Sequence, residues 1–184
     1  MQVFYAPDIK GEKYMLNERE SKHTIRVLRM KIGENVRLID GKGNLYDGII
    51  STPDIKGCII DITGCTKEFE KRNYRLHIAI SPLKNPERFE WFVEKSVEIG
   101  IDEITPVFCR NTEKKGFKAE RINNIIISAM KQSLKAKLPV LNSPLNFDDF
   151  LKSDNSNNKR MIAFCHPEIK REKVSNIYNS GPAT

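Results

Sequence analysis

A chain of 184 residues that is 39% hydrophobic is long enough for one ordinary domain or two small ones and buries a core, which excludes a disordered tail. Lys plus Arg number 31 against 24 acids, so the net charge is +7 and a polyanion such as RNA is the leading partner class. No apolar stretch approaches the roughly 20 residues that cross a bilayer and no basic-headed apolar leader opens the chain, so the reading is a soluble, cytoplasmic protein with no membrane partner.

From residue 1 to about 66 the texture is short strands and turns. "VRLID" (36–40), "LYDGIIS" (45–51) and "GCIIDIT" (57–63) are β-branched runs separated by the turn formers of "GKGN" and "TPDIKG", which predicts a small barrel or sandwich. One helix is predicted among them, over "NERESKHTIRVLRMKIG" (17–33), with Asn17 as N-cap and Gly33 past the end. Ile25 and Leu28 should then face the barrel, with Arg26 and Arg29 together on a neighbouring face.

The charged run "TKEFEKRN" (66–73) has no apolar period and marks a boundary, which places one domain at 1–68 and a second at 74–184. Beyond it, strand and helix alternate. "RLHIAIS" (75–81) and "EITPVFC" (103–109) read as buried strands, "LPVL" (138–141) and "RMIAFC" (160–165) as two more. "PERFEWFVEKSVEIG" (86–100) reads as a helix capped by Asn85 and closed by Gly100, and "AERINNIIISAMKQSLK" (119–135) as the next. This βαβ order implies a mainly parallel sheet covered by helices.

Four constellations carry candidate chemistry. His23, Arg26, Arg29 and Lys31 form a basic set followed by the turn "DGKG", suited to phosphates and to close backbone approach by RNA; a solvated helix face with a hairpin turn is the plainer alternative. Lys84 falls at the C-terminal end of a predicted parallel strand, where α/β sheets put ligand-binding groups. Lys95 and Glu98, three apart, suit a surface ion pair, and Trp91, Phe89 and Phe92 suit core or a subunit interface. In "AMKQSLKAKLP" (129–139), Gln132 and Ser133 offer neutral hydrogen bonds among Lys131, Lys135 and Lys137, against the alternative of a merely basic helix end. In "AFCHPE" (163–168), His166 has no acid, second His or second Cys at ligand spacing, so no metal is expected. Cys58, Cys65, Cys109 and Cys165 form no C-x-x-C pair and read as reduced, mostly buried thiols.

Three blocks in order carry a resemblance: "H..RVLRMKIGE.V.LIDGKG..Y" (His23 to Tyr46), "LK..ERFEWFVEKSVEIGIDEITPVFCRNTEK" (Leu83 to Lys114) and "KQSLKAKLP" (Lys131 to Pro139). The chain resembles the RsmE-type 16S ribosomal RNA methyltransferases of the SPOUT superfamily. The resemblance implies an α+β two-domain fold: a PUA-like β-barrel that binds RNA, followed by an α/β domain of trefoil-knot type. It implies S-adenosyl-L-methionine as cofactor, methylation of uridine N3 in 16S rRNA or the small ribosomal subunit, and a homodimer when complete.

Lys84, Lys95, Glu98, Gly100, Arg110, Gln132, Ser133 and Pro139 fall on the family's patterned positions. By this likeness Lys84 is the catalytic candidate, Phe164, Cys165 and His166 the donor-binding candidates. The RNA-binding set is His23, Arg26, Arg29, Lys31, Arg110, Gln132, Ser133, Lys135 and Lys137. Lys135 and Lys137 stand where the family often has Arg, which keeps charge and gives up bidentate geometry. The family's "GPEGG"-like loop has no counterpart in "NSGPAT" (179–184), so the expectation is a chain truncated before the donor-binding knot. The alternative function is an RNA-binding module without catalytic activity.

Overall fold

The computed structural model describes residues 1–112, 117–153, 159–163, 168 and 173–178. They divide into two compact units, one of Met1–Lys71 with Asn124–Leu138, the other of Arg72–Asn123 with Pro139–Thr184.

The first unit is a curled five-stranded sheet in the order β1-β3-β4-β5-β2. Its strands are β1 (Gln2–Tyr5), β2 (Lys13–Met15), β3 (Asn35–Ile39), β4 (Leu45–Thr52) and β5 (Ile59–Thr66). β1 lies parallel to β3, Phe4 opposite Leu38, and the remaining pairs are antiparallel. Register shifts at Asp47/Gly48 and Ile50/Thr52 bend the β4–β5 ladder. The three strands read from the sequence form with edges displaced by no more than three residues, because each is a β-branched, apolar-rich run with side chains such as Val36, Leu38, Ile50 and Ile60 buried. Phe4, Leu16, Val36, Leu38, Ile50, Cys58 and Ile60 make one dry core with Ile25 and Met30 packed against it. Each large side chain fully buried there contributes about 1.5–3 kcal/mol.

The helix near the N-terminus is shorter than its sequence suggests. Asn17 caps α1 (Glu18–Lys22), its side chain accepting from the Glu20 amide at 2.9 Å, and the chain then widens into a π-helical turn over His23–Val27. Thr24 drives the widening: its buried hydroxyl donates to the Glu20 carbonyl at 2.7 Å, and the Leu28 amide reaches back five residues to His23. The wider turn breaks the expected three-residue stagger. Ile25 packs on the core, whereas Leu28 is 38% exposed, and Arg29 leaves the helix altogether at φ 55°. Arg26 and Arg29 therefore share no helical face.

The turn between β3 and β4 also corrects an expectation. Asp40 is buried, and its carboxylate accepts from the Lys42 and Asn44 amides and from the Asn44 side chain at 2.7, 3.0 and 2.6 Å. Instead of standing open to RNA, the glycine backbone is used internally. Gly43 donates to the Ala136 carbonyl at 3.0 Å, and the Gly41 and Gly43 carbonyls accept from Leu138 and Phe69, each at 2.8 Å. Gly41 has φ 74°, and a Cβ there would sit 3.0 Å from the Tyr5 ring, so glycine is required on both counts.

The second unit has a parallel sheet in the order β6-β7-β8, from β6 (His77–Ile80), β7 (Glu103–Phe108) and β8 (Val140–Leu141), with β9 (Leu145–Asn146) also parallel to β7. The helices in this part of the chain are α2 (Pro86–Ile99), α3 (Ala119–Gln132, whose second half belongs to the first unit), α4 (Phe147–Ser153) and α5 (Val174–Ile177). α2 has the ends its sequence predicts. Asn85 accepts from the Glu87 amide at 2.9 Å, and Gly100 closes the helix at φ 104° with the Arg72 guanidinium 3.2 Å from where a Cβ would be. α3 stops three residues early because Leu134 turns left-handed at φ 53° and the Lys135 amide reaches back to Met130.

Other expectations change here. Residues 160–163 form no strand, and the rest of the expected run, 164–165, lies outside the described residues. β-propensity alone supplies no ladder partner, and Ile162 is 76% exposed. Phe89 is buried as expected and meets Phe92 and Phe117, whereas Trp91 on the same helix is 63% exposed. Cys58 is buried, but Cys65 and Cys109 are exposed, because both sit where chain leaves the packed sheet.

Candidate functional site

Two groups of residues stand out, one in each unit. In the first unit the sequence from Ser21 to Gly33 holds no acid, and His23, Arg26, Arg29 and Lys31 are all exposed. Among the described residues none of these four takes part in an ion pair. The charges of Arg26, Arg29 and Lys31 are thus available to a polyanion.

The basic residues after α3 are engaged differently. Lys131 pairs with Glu20 at 2.8 Å and Lys135 with Glu70 at 2.8 Å, partners 111 and 65 residues away in sequence. The Ser133 hydroxyl donates to the Ala129 carbonyl at 2.7 Å, and Lys137 is bridged through its backbone to Gly41 and Lys42. Gln132 is exposed and, with Gln2, Arg37, Ser128 and Lys131, lines an open groove of about 490 Å³. Arg37 in that groove is held by Asp47 at 3.0 Å. Gln2 and Arg37 were not legible as site residues from sequence, since a β-strand position gives no sign of which helix packs beside it.

In the second unit the C-terminal ends of β6 and β7 lie side by side, with Ile80 opposite Pro106. The loops that follow carry Lys84 and Arg110, both exposed. Ser81 Oγ and Thr112 Oγ1 are 2.7 Å apart, and Thr112 Oγ1 also accepts from the Cys109 amide at 2.8 Å, so one hydrogen-bond chain ties the two loops together. Sequence reasoning singled out the cations and missed the hydroxyls that brace their loops; the "SPLK" run after a strand was the available sign. Lys95 bonds Glu98 at 2.9 and 3.0 Å and Glu94 at 2.9 Å, the surface ion pair its spacing predicts, and these partners push its pKa up. Phe164, Cys165 and His166 lie outside the described residues.

At the opposite end of the sheet the polar groups are structural. His77 Nε2 meets Thr105 Oγ1 at 2.8 Å, and the Asn142 amide donates to Thr105 and Glu103 at 2.7 and 2.6 Å. Asp102, 5% exposed, accepts from Arg72 and from the Leu76 amide, both at 2.9 Å. Glu103 also pairs with Arg75.

Comparison with known proteins agrees with both units. A family model for an RNA methyltransferase PUA domain matches residues 16–63, and one for an RNA methyltransferase domain matches residues 70–182. A probable rRNA-methyltransferase from Porphyromonas gingivalis is 36% identical and superposes with a TM-score of 0.87 over 100% of this chain and 78% of its own. The ribosomal RNA small subunit methyltransferase E of Buchnera aphidicola is 28% identical over 91% of this chain and 68% of its own length. That of Neisseria gonorrhoeae, bound to S-adenosyl methionine, is 20% identical and shares the fold with a TM-score of 0.82 over 100% of this chain and 78% of its own. With a PUA-like sheet first in the chain, a parallel-sheet α/β unit after it and a family model covering most of the sequence, this protein belongs to the RsmE-type 16S ribosomal RNA methyltransferases of the SPOUT superfamily.

Proposed function

We propose that the chain acts in S-adenosylmethionine-dependent methylation of uridine N3 in 16S rRNA, residues 1–68 holding RNA and residues 74–184 carrying the chemistry. The observation that supports this most is the presence of both family domains, in family order, along one chain. The exposed His23–Lys31 cations suit phosphates, and the loop end of the parallel sheet suits a reacting base.

The chemistry at the loop end is limited by the uridine itself. N3 carries a proton with a pKa above neutral, so attack requires that proton to be lost or strongly hydrogen-bonded as the bond forms. Lys84 is the proposed catalytic residue: an ammonium beside the uracil oxygens stabilises the negative charge that deprotonation leaves on them. Arg110, on the loop braced by Thr112, is the residue proposed to hold a neighbouring phosphate. When bound, S-adenosylmethionine supplies an electrophilic methyl group on a sulfonium. Cations suit the uracil oxygens and repel a sulfonium, so Lys84 and Arg110 fit the RNA side of such a site, and Phe164, Cys165 and His166 remain the proposed donor side. The trefoil knot and a homodimer belong to the same reading, the latter checked by sedimentation.

The test is methyl transfer from labelled S-adenosylmethionine to unmodified small subunits, followed by nucleoside analysis. Label in 3-methyluridine supports the reading, label in another nucleoside overturns its specificity, and RNA binding with neither donor binding nor label leaves the RNA-binding module instead. Lys84→Ala should lower transfer about a hundredfold while RNA affinity holds. Undiminished transfer by that variant removes Lys84 from the role.

A further inference from the structure

The loop that leaves the π-helical turn is anchored at both ends and apolar at its tip. Thr24 is buried and Ile25 packs on the core; after the tip, Met30 returns to the core, its amide bonding the Thr24 carbonyl at 3.1 Å, and the Gly33 amide bonds Ile50 at 2.9 Å. Between and just beyond these anchors Val27 is 65%, Leu28 38% and Ile32 67% exposed. Arg29 holds the left-handed region at φ 55°, a conformation that costs a non-glycine residue energy and is kept where surroundings impose it. A folded chain that has anchored Ile25 and Met30 inward has the means to bury their neighbours and leaves them in water instead.

Each exposed apolar residue has a cation next to it in the chain. The order is Arg26, Val27, Leu28, Arg29, Met30, Lys31, Ile32, with no acid from Ser21 to Gly33. A protein partner for such a loop would have to pair apolar pockets with several acids at matching spacing. RNA offers both features in its covalent repeat, an apolar base face next to a phosphate, and apolar side chains inserted between base steps are a known way of unstacking them.

We propose that Val27, Leu28 and Ile32 form an apolar wedge that enters a base stack of bound RNA while Arg26, Arg29 and Lys31 hold the flanking phosphates. This rests on the RNA-binding reading of the first unit. The wedge adds a second role to phosphate holding, because a base that is to react must leave its stack, and a side chain filling the vacated space offsets part of the unstacking cost.

The experiment uses the full chain and a short RNA hairpin whose unpaired loop carries 2-aminopurine, a base whose fluorescence rises on unstacking. Wild-type protein should bind with a salt-dependent affinity and raise the fluorescence. Val27→Ser/Ile32→Ser should lose more than half of the rise at saturation, with affinity reduced by no more than about tenfold and an unchanged salt slope. Leu28→Ser alone, which disturbs a less exposed residue, should lose a smaller part, and circular dichroism should show both variants folded. Arg26→Ala/Arg29→Ala should do the reverse, flattening the salt slope while the rise at saturation persists.

Retention of the full rise by both serine variants overturns the wedge and leaves RNA binding intact. No RNA binding by wild type overturns both. If the serine variants instead lose cosedimentation with phosphatidylglycerol vesicles and keep the fluorescence rise, the surface is a membrane contact and the wedge is wrong.

Discussion

The two units place their buried polar groups differently, beside the sheet in the first and along it in the second. In the first the sheet core is apolar, built from Phe4, Val36, Leu38, Ile50 and Ile60, its buried Ser21, Thr24 and Asp40 bond within the helix and turns beside the sheet, and cations without an ion-pair partner among the described residues are displayed outside from the π-helical turn onward. In the second, polar groups run through the sheet itself, as His77, Thr105, Asn142, Glu103 and Asp102 bond across β6, β7 and β8. The cause is strand length. β3, β4 and β5 have five to eight residues and long ladders, whereas β8 and β9 have two each and cannot hold their neighbours by ladder bonds alone. Side-chain bonds at one end of the short sheet supply the rest, and the other end is left to the loops that carry Lys84 and Arg110.

This contrast is sharpest where single changes act on one unit's interior. Phe4→Ala should cost about 3–5 kcal/mol, with hydrogen exchange quickened over β3 and β4, because it opens a cavity in a dry core. Exchange faster in β7 than in β3 would break the comparison. Asp102→Ala should cost about 2–3 kcal/mol in urea unfolding followed by Trp91, the single tryptophan. It leaves the Leu76 amide unmet and Arg72, itself partly in water, without its partner. A cost below about 0.5 kcal/mol would show that the short sheet needs no polar fastening.

Surface changes probe the outer half of the comparison. Arg26→Ala/Arg29→Ala should leave thermal stability in place and lower RNA affinity roughly tenfold near physiological salt, reducing the salt slope by about two. The same change at Lys135, already paired with Glu70, should reduce it less. The smallest effect concerns Glu90, whose carboxyl is held below the ordinary glutamate value of 4.5 by its hydrogen bonds to Arg121. Because the folded pKa is the lower one, this stabilisation is present above 4.5 and fades as pH falls through the folded value. Glu90→Gln should therefore melt slightly below wild type at pH 7 and draw level with it as the pH falls below the folded value. A gap that persists in acid would assign the pair a packing role instead.

The particular residues show what was legible. The strands "VRLID" and "LYDGIIS", the Asn85 cap and the Gly100 stop are local: alternation, a capping side chain and a left-handed glycine act within a few residues of themselves. The basic stretch at His23–Lys31 was legible for the same reason, and so was the family likeness, which lies in ordered blocks of sequence. The short helix was not, because Thr24 decides it through a buried back-bond to Glu20, and burial is set by the whole sheet.

The site residues divide along the same line. That Lys84 follows a strand and Lys131 closes a helix can be read from neighbours in sequence. That Lys131 and Lys135 are paired with Glu20 and Glu70, while Arg26 and Arg29 have no such partner among the described residues, needs residues 111 and 65 positions apart to meet. Charge and periodicity by themselves raised the expectation of two units, of a basic face suited to RNA and of a loop-end site; that residues 124–138 join the first unit came from packing. The tertiary structure alone decided which cations are taken up by the protein's own acids and which apolar side chains stay in water, since both depend on what the folded chain brings alongside.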